Sequence, residues 1–478
     1  MHIVFVHGWS VRHTDTYGGL PAALRRLIDD GTLKATVTDL HLGKYVSFED
    51  TVTLDDISKA FDAALRAHPT LKAVISAREP LACITHSTGG PVIRNWVQLF
   101  YAKKNKLKQC PLTHLIMLAP ANHGSALAQL GKSRLSRMKF FLEGAEPGAR
   151  VLDWLELGSP ESWALNQAWL TLDPVATELY PFVLTGQTID RSMYDTINAY
   201  TGEAGSDGVV RVAAANLNYT ALELVQDPAT GQLVADDLRV TPRTALAVLP
   251  GLSHSGDEMG IIKSVPPDPT SQHETLLAVR RCLAVKSAAD YRKCVTEFET
   301  KTTQTQKDEE SRPEKRSFLF SGGRVFKTPR CAMVIFRFTD DAGEMLNDYE
   351  LRLTAGKDYS EHKLPPGFFI DRQRNSRDGS LLTYFFNHDV LATGLEKKLD
   401  DRFGFRLIAR PDQGFARYMP AEFRGTAKDI GKALVANQTT LITVRLHRII
   451  DRGVFTLREQ SLGVDPIDTL PTGRDIAG

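Results

Sequence analysis

The sequence predicts an α/β domain followed by a second, mainly β domain, and three observations carry that expectation. Short apolar runs at residues 3–6, 81–84 and 115–118 each end in a small-residue loop, as strands buried on both faces of a parallel sheet do. A polar, charged stretch from Thr300 to Arg316 then changes the character of the chain. Beyond it, β-favouring residues gather at 332–338, 349–353, 381–386, 403–408 and 441–446 between Gly, Pro, Asp and Asn turns. A chain of 478 residues accommodates two such domains.

The first run leads directly into His7-Gly8-Trp9-Ser10, a turn whose backbone N–H groups are free to point at an anion. The second leads into Thr85-His86-Ser87-Thr88-Gly89-Gly90, with a helical stretch from Pro91 to Tyr101 behind it. A serine at a sharp strand-to-helix turn is held in a strained conformation that exposes its hydroxyl as a nucleophile, and small neighbours are needed where strand and helix nearly touch. Gly89 and Gly90 supply that room, whereas Thr85 stands where the G-x-S-x-G pattern has its first glycine. The third run ends in Ala119-Pro120-Ala121-Asn122-His123-Gly124-Ser125 and fits the strand after the elbow helix.

Together these three segments resemble a serine lipase of the α/β-hydrolase superfamily, over roughly the first 285 residues. The nearer resemblance is to bacterial lipases and phospholipases related to the eukaryotic GPI-inositol deacylases. It implies an α/β-hydrolase fold, an ester hydrolase activity, and oxyanion donors from the backbone of Trp9 and Thr88. It also implies an acid and a histidine after the serine in chain order. For the acid, Gly205-Ser206-Asp207-Gly208-Val209-Val210 reads as a turn leading into a strand, and the resemblance favours Asp207, with Asp190 as the alternative. For the base, His254 follows a strand-like run at 246–250 in a short loop, whereas His273 reads as a helix N-terminal cap. The expected site is therefore Ser87, Asp207 and His254, and this chemistry needs no cofactor or metal. Calcium, which some lipases hold, is compelled by no carboxylate cluster.

Between Ser125 and Tyr180 the strand pattern gives way to apolar residues at helical spacing, including Trp154, Trp163 and Trp169, which predicts a helical lid or cap at 125–180. A basic group at Lys132, Arg134, Arg137 and Lys139 beside Phe140 and Phe141 suits contact with an anionic lipid surface. The resulting expectation is a catalytic domain at 1–299, a polar linker at 300–316 and a sandwich-like accessory domain at 317–478.

Lys and Arg total 58 against 57 Asp and Glu, so bulk electrostatics argue against a nucleic-acid partner. No apolar stretch reaches the roughly 20 residues of a transmembrane helix. The five cysteines lack metal-ligand spacing and read as free thiols. The first strand begins at once, without the marks of a signal peptide, which predicts a cytoplasmic location in the producer. The resemblance is further compatible with an antibacterial effector exported by a type VI secretion machine to a target cell's periplasm, with a membrane-lipid substrate, a carrier and an immunity protein as partners. A small-ester esterase, an acyltransferase and a non-catalytic binding protein on the same scaffold are the alternatives.

Overall fold

The computed structural model describes residues 1–7, 16–42, 50–129, 148–190, 205–310, 328–398, 402–410 and 416–450. The chain opens with β1 (His2–His7), α1 (Leu20–Asp29), β2 (Thr36–His41), α2 (Leu54–Ala67), α3 (Pro69–Ala77), β3 (Leu81–His86), α4 (Gly89–Phe100) and β4 (Leu112–Leu118). It continues through α5 (Ala149–Leu155), α6 (Pro160–Leu170), β5 (Tyr180–Thr185), α7 (Val212–Ala215), β6 (Tyr219–Gln226), β7 (Leu233–Val240), β8 (Ala245–Val248), α8 (Glu274–Leu283) and α9 (Ala288–Glu310). The last part comprises β9 (Cys331–Asp340), β10 (Asp348–Ala355), β11 (Phe369–Arg374), β12 (Leu381–Asn387), α10 (His388–Lys398), β13 (Arg402–Arg410), β14 (Ala416–Tyr418), β15 (Ala421–Thr426), α11 (Ala427–Ala433), β16 (Thr439–Leu446) and β17 (Arg448–Ile450).

Six strands form a parallel sheet in the order β2-β1-β3-β4-β5-β8. Strands β3, β4, β5 and β8 are buried on both sides because both faces are covered, whereas the edge strand β2 is largely polar. On one face Ile3, Phe5, Ile84 and Ile116 pack against α1, α8 and α9. On the other, Val4, Cys83 and Met117 pack against α2, α4, α5 and α6. Helix boundaries follow local chemistry. Thr53 and Asp56 form a reciprocal cap at the start of α2, whose Leu54, Ile57, Phe61 and Leu65 then fall on one buried stripe.

A second sheet, in the order β11-β12-β9-β16-β6-β7, lies against the outer side of α5 and α6, where Met333, Ile335, Leu381 and Phe385 join the core of the first layer. Its opposite face packs on the three-stranded antiparallel sheet β10-β13-β15 through Phe336, Phe338, Phe403 and Phe405. The mainly β sandwich expected for the C-terminal half is thus present. Strands β14 and β17 pair separately.

The expected division of the chain is corrected in two places. The hairpin β6-β7, within the stretch assigned to the catalytic domain, belongs to the mixed sheet, where β6 pairs in parallel with β16 from Thr439↔Tyr219 to Arg445↔Val225. Parallel pairing joins segments distant in sequence, so no local pattern announces it. Residues 300–310 of the expected linker are helical and continue α9. Their polar side chains serve β8, the edge of the parallel sheet. Thr302 Oγ1 accepts from the Val248 N–H at 3.0 Å and donates to the Leu246 carbonyl at 3.1 Å, and Glu309 accepts from the Gly251 N–H at 2.9 Å. Residues 311–316 lie outside the described residues. Within the span expected as a helical lid or cap, α5 and α6 form a packed layer between the elbow helix and the mixed sheet, with Trp154, Trp163 and Trp169 buried. The basic group and Phe140-Phe141 lie outside the described residues.

Candidate active site

Strand β3 ends at His86 and α4 begins at Gly89, which leaves Ser87 and Thr88 to make the turn. Ser87 has φ +52°, in the left-handed region that a residue with a Cβ avoids at a cost of roughly 1–2 kcal/mol. The strain is held by neighbours: the Ser87 N–H donates to the Leu118 carbonyl at 3.0 Å, and its own carbonyl accepts from Ala121 N–H at 3.4 Å. A Cβ on Gly90 would come within 3.0 Å of Pro120 Cβ and 3.1 Å of Met117 Sδ, and one on Gly89 within 3.1 Å of Thr85 Cβ. Thr85 in place of the first glycine is therefore tolerated because Gly89 yields the space. Thr88 caps α4, and among the described residues its N–H donates to no backbone carbonyl. That N–H sits at the positive end of the helix, where an anionic oxygen is favoured. Trp9, the other expected oxyanion donor, lies outside the described residues.

The structure brings Ser87, His254 and Asp207 together across 167 residues of sequence. His254 Nε2 lies 3.1 Å from Ser87 Oγ, and His254 Nδ1 lies 3.0 Å from Asp207 Oδ2. Both the imidazole and the carboxylate have no exposed surface. Asp207 also serves its turn, since Oδ1 accepts from Val209 N–H at 3.0 Å and Val210 N–H at 2.8 Å. One carboxylate oxygen thus orders the turn while the other faces the imidazole. The Asp207 carbonyl additionally accepts from the His254 N–H at 2.8 Å, which ties the two loops by backbone as well as by side chain. The strand expected after this turn does not form; a Ser206↔Arg211 bridge closes it and the short helix α7 follows. The alternative acid, Asp190, is buried past the end of β5, while the carboxylate at His254 Nδ1 is that of Asp207. His273 is the cap of α8, its Nδ1 accepting from Thr275 N–H at 3.2 Å.

Sequence reasoning missed two supports of this site. The first is the loop after β5. A Cβ on Gly186 would lie 1.9 Å from the Leu252 carbonyl oxygen, so the two loops touch backbone to backbone beside His254. The second is a buried polar network behind the elbow. Arg94, one helix face behind Ser87, donates to Asn122 Oδ1 at 3.3 Å and Asn166 Oδ1 at 2.9 Å, and lies over the Trp169 ring. Asn122 Nδ2 donates to the Ala215 carbonyl at 2.7 Å, and Tyr219 donates to the Asn166 carbonyl at 2.6 Å. Ser125 Oγ reaches the Val209 carbonyl at 2.5 Å. The loop after β4, α6 and the Asp207 turn are thereby fixed to the elbow helix. An arginine inside an apolar helix was the available signal.

Burial sets the protonation of the nearby histidines. His86, whose Nε2 donates to the His254 carbonyl at 3.1 Å, is held well below the ordinary histidine value by desolvation and by the neighbouring His254. Desolvation, aided by Arg94, lowers His123 to about 3, and burial likewise lowers Arg94 to about 10. All five cysteines are free thiols. Among the described residues no three His, Cys, Asp or Glu side chains converge as a metal site, and no helix is long and apolar enough to cross a membrane.

No family model and no curated protein matches the chain. Two solved structures resemble it along nearly its whole length. Phospholipase PlaB from Legionella pneumophila is 46% identical, with 99% of each chain covered and a TM-score of 0.87. The same protein in complex with thio-NAD is 46% identical, with 98% of this chain and 97% of that chain covered and a TM-score of 0.86.

Proposed function

The chain belongs to the family of the Legionella pneumophila phospholipase PlaB, and on that premise we propose that it hydrolyses acyl esters of phospholipids, with Ser87 as nucleophile. The single observation that carries the assignment of roles is the unbroken contact from Ser87 Oγ through His254 to Asp207, at 3.1 and 3.0 Å.

His254 Nε2 takes the Ser87 proton as Oγ bonds to the ester carbonyl carbon, and Asp207 holds the Nδ1–H tautomer and stabilises the imidazolium. The carbonyl oxygen becomes an anion facing the Thr88 N–H, with the Trp9 N–H as the second donor. His254 then gives its proton to the departing glycerol oxygen as the C–O bond breaks. Water, deprotonated by the same imidazole, attacks the acyl-serine, and the fatty acid leaves as Ser87 regains its proton. Neutral His86 beside His254 adds no positive charge to oppose the imidazolium.

The test is hydrolysis of defined phosphatidylcholine and phosphatidylglycerol vesicles, with the products identified by mass spectrometry. Wild type should release fatty acid, and Ser87→Ala should lose at least about 10³-fold in rate. A Ser87→Ala protein that keeps its hydrolysis and its labelling by a fluorophosphonate would move the nucleophile elsewhere. The narrower reading, delivery by a type VI machine against neighbouring cells with an immunity protein in the producer, and kinship with the GPI-inositol-deacylase group, rest on the motif resemblance. Killing of sensitive neighbours by a strain lacking the gene tests the delivery.

A further inference from the structure

We propose that the β-sandwich carries a second, non-catalytic ligand site, a cavity that takes one aliphatic chain of about six carbons from a fatty acid whose carboxylate sits at Lys432. The cavity lies between the mixed sheet and the three-stranded sheet and has a volume of about 150 Å³. Its inner wall is formed by buried side chains, among them Leu224, Val334, Phe336, Phe386 and Phe405. Leu238 and Ala235 of β7, with Asp429 and Lys432 of α11, form the exposed mouth. The opening follows from topology. Six strands face three, so the β6-β7 end of the larger sheet extends past its cover, leaving Leu238 and Val240 44% and 65% exposed.

The chemistry of the lining selects the occupant. An apolar cavity of this volume, open at its mouth, has room for an aliphatic segment of about six carbons, as an enclosed engineered cavity of equal volume has room for benzene. At the mouth, Lys432 has no ion-pair partner among the described residues. The adjacent Asp429 is engaged locally, accepting from Thr426 N–H at 3.1 Å and Thr426 Oγ1 at 2.7 Å. An alkyl tail that ends in an anion satisfies both parts, and the exposed Leu238 and Val240 extend the apolar path for a longer chain. The source of such a ligand, though not the site, rests on the function proposed above, which releases fatty acids.

Calorimetric titration of octanoate into the full-length Ser87→Ala protein tests the site apart from catalysis, with 1-octanol as the uncharged comparison. One saturable site is expected. Ala235→Trp, which fills the mouth at an exposed position, should weaken both ligands at least tenfold. Lys432→Gln should weaken octanoate about fivefold, leave 1-octanol unchanged and be rescued by Lys432→Arg. Both variants should hydrolyse phospholipid at the wild-type rate in the Ser87 background. Absence of saturable binding, or equal affinity in wild type and Ala235→Trp, overturns the proposal. So does a self-associated species in sedimentation that Ala235→Trp dissociates, because the apolar mouth would then belong to a second copy. Failure of the vesicle assay with intact octanoate binding would count against the hydrolase reading alone.

Discussion

Gly186→Ala places the perturbation away from every reacting atom and still predicts a loss of turnover. The new Cβ would lie 1.9 Å from the Leu252 carbonyl oxygen, roughly 1.5 Å inside ordinary van der Waals contact, and the obstacle is backbone that no rotamer can relieve. Leu252 stands two residues before His254, so the relief available is a shift of that loop. A displacement of about 1 Å at a catalytic group costs on the order of 10²-fold in rate. We expect kcat on a short-chain p-nitrophenyl ester to fall by about that factor, with fluorophosphonate labelling of Ser87 slowed in parallel. Gly251→Ala is the control: it lies in the same loop at φ +69° with nothing within 4 Å of its Cβ, so it costs about 1 kcal/mol of backbone strain without moving the imidazole. A folded Gly186→Ala protein with kcat within threefold of wild type would refute the reasoning, as would an equal loss in Gly251→Ala.

Asp207→Asn should lower kcat by about 10⁴-fold, because the amide favours the wrong imidazole tautomer, while substrate binding measured by KM changes little. Thr302→Val removes the hydroxyl that bridges Val248 and Leu246 and should cost about 1–3 kcal/mol in urea unfolding, with kcat unchanged in the folded fraction. Burial holds His114 at about 4, against 6.5 in an unfolded chain, so the native state refuses a proton that the unfolded state accepts. Its contribution is complete above pH 6.5 and is lost as pH falls toward 4, at about 1.4 kcal/mol per unit. Urea midpoints at pH 7, 5.5 and 4.5 should show this decline, and His114→Leu should flatten it; an unchanged slope would contradict the assignment.

Much of the site could be read from the chain because its chemistry is local. The serine turn needs particular small residues at fixed offsets, and these are visible in Ser87, Gly89 and Gly90. Asp207 is the acid that the resemblance favours, with Asp190 open beside it, and only the fold decides that one Asp207 oxygen orders the turn while the other is left over for His254. The polar face of α9 reads as a linker in sequence because composition cannot distinguish hydrogen bonds to water from hydrogen bonds to a sheet edge. The β6-β7 hairpin falls inside the expected catalytic span because its partner β16 lies more than 200 residues away, which no local pattern shows.

The sequence by itself determined the strand-to-helix turn and the class of both layers, since each follows from steric rules or periodicity within a few residues, whereas the expected order of serine, acid and base came from the resemblance. Tertiary structure alone decided that β6 would pair with β16, that Gly186 would press on the histidine loop, and that Arg94 would be bridged by Asn122 and Asn166. Those contacts join residues far apart in sequence, and their free energy exists only once the intervening chain has been brought together.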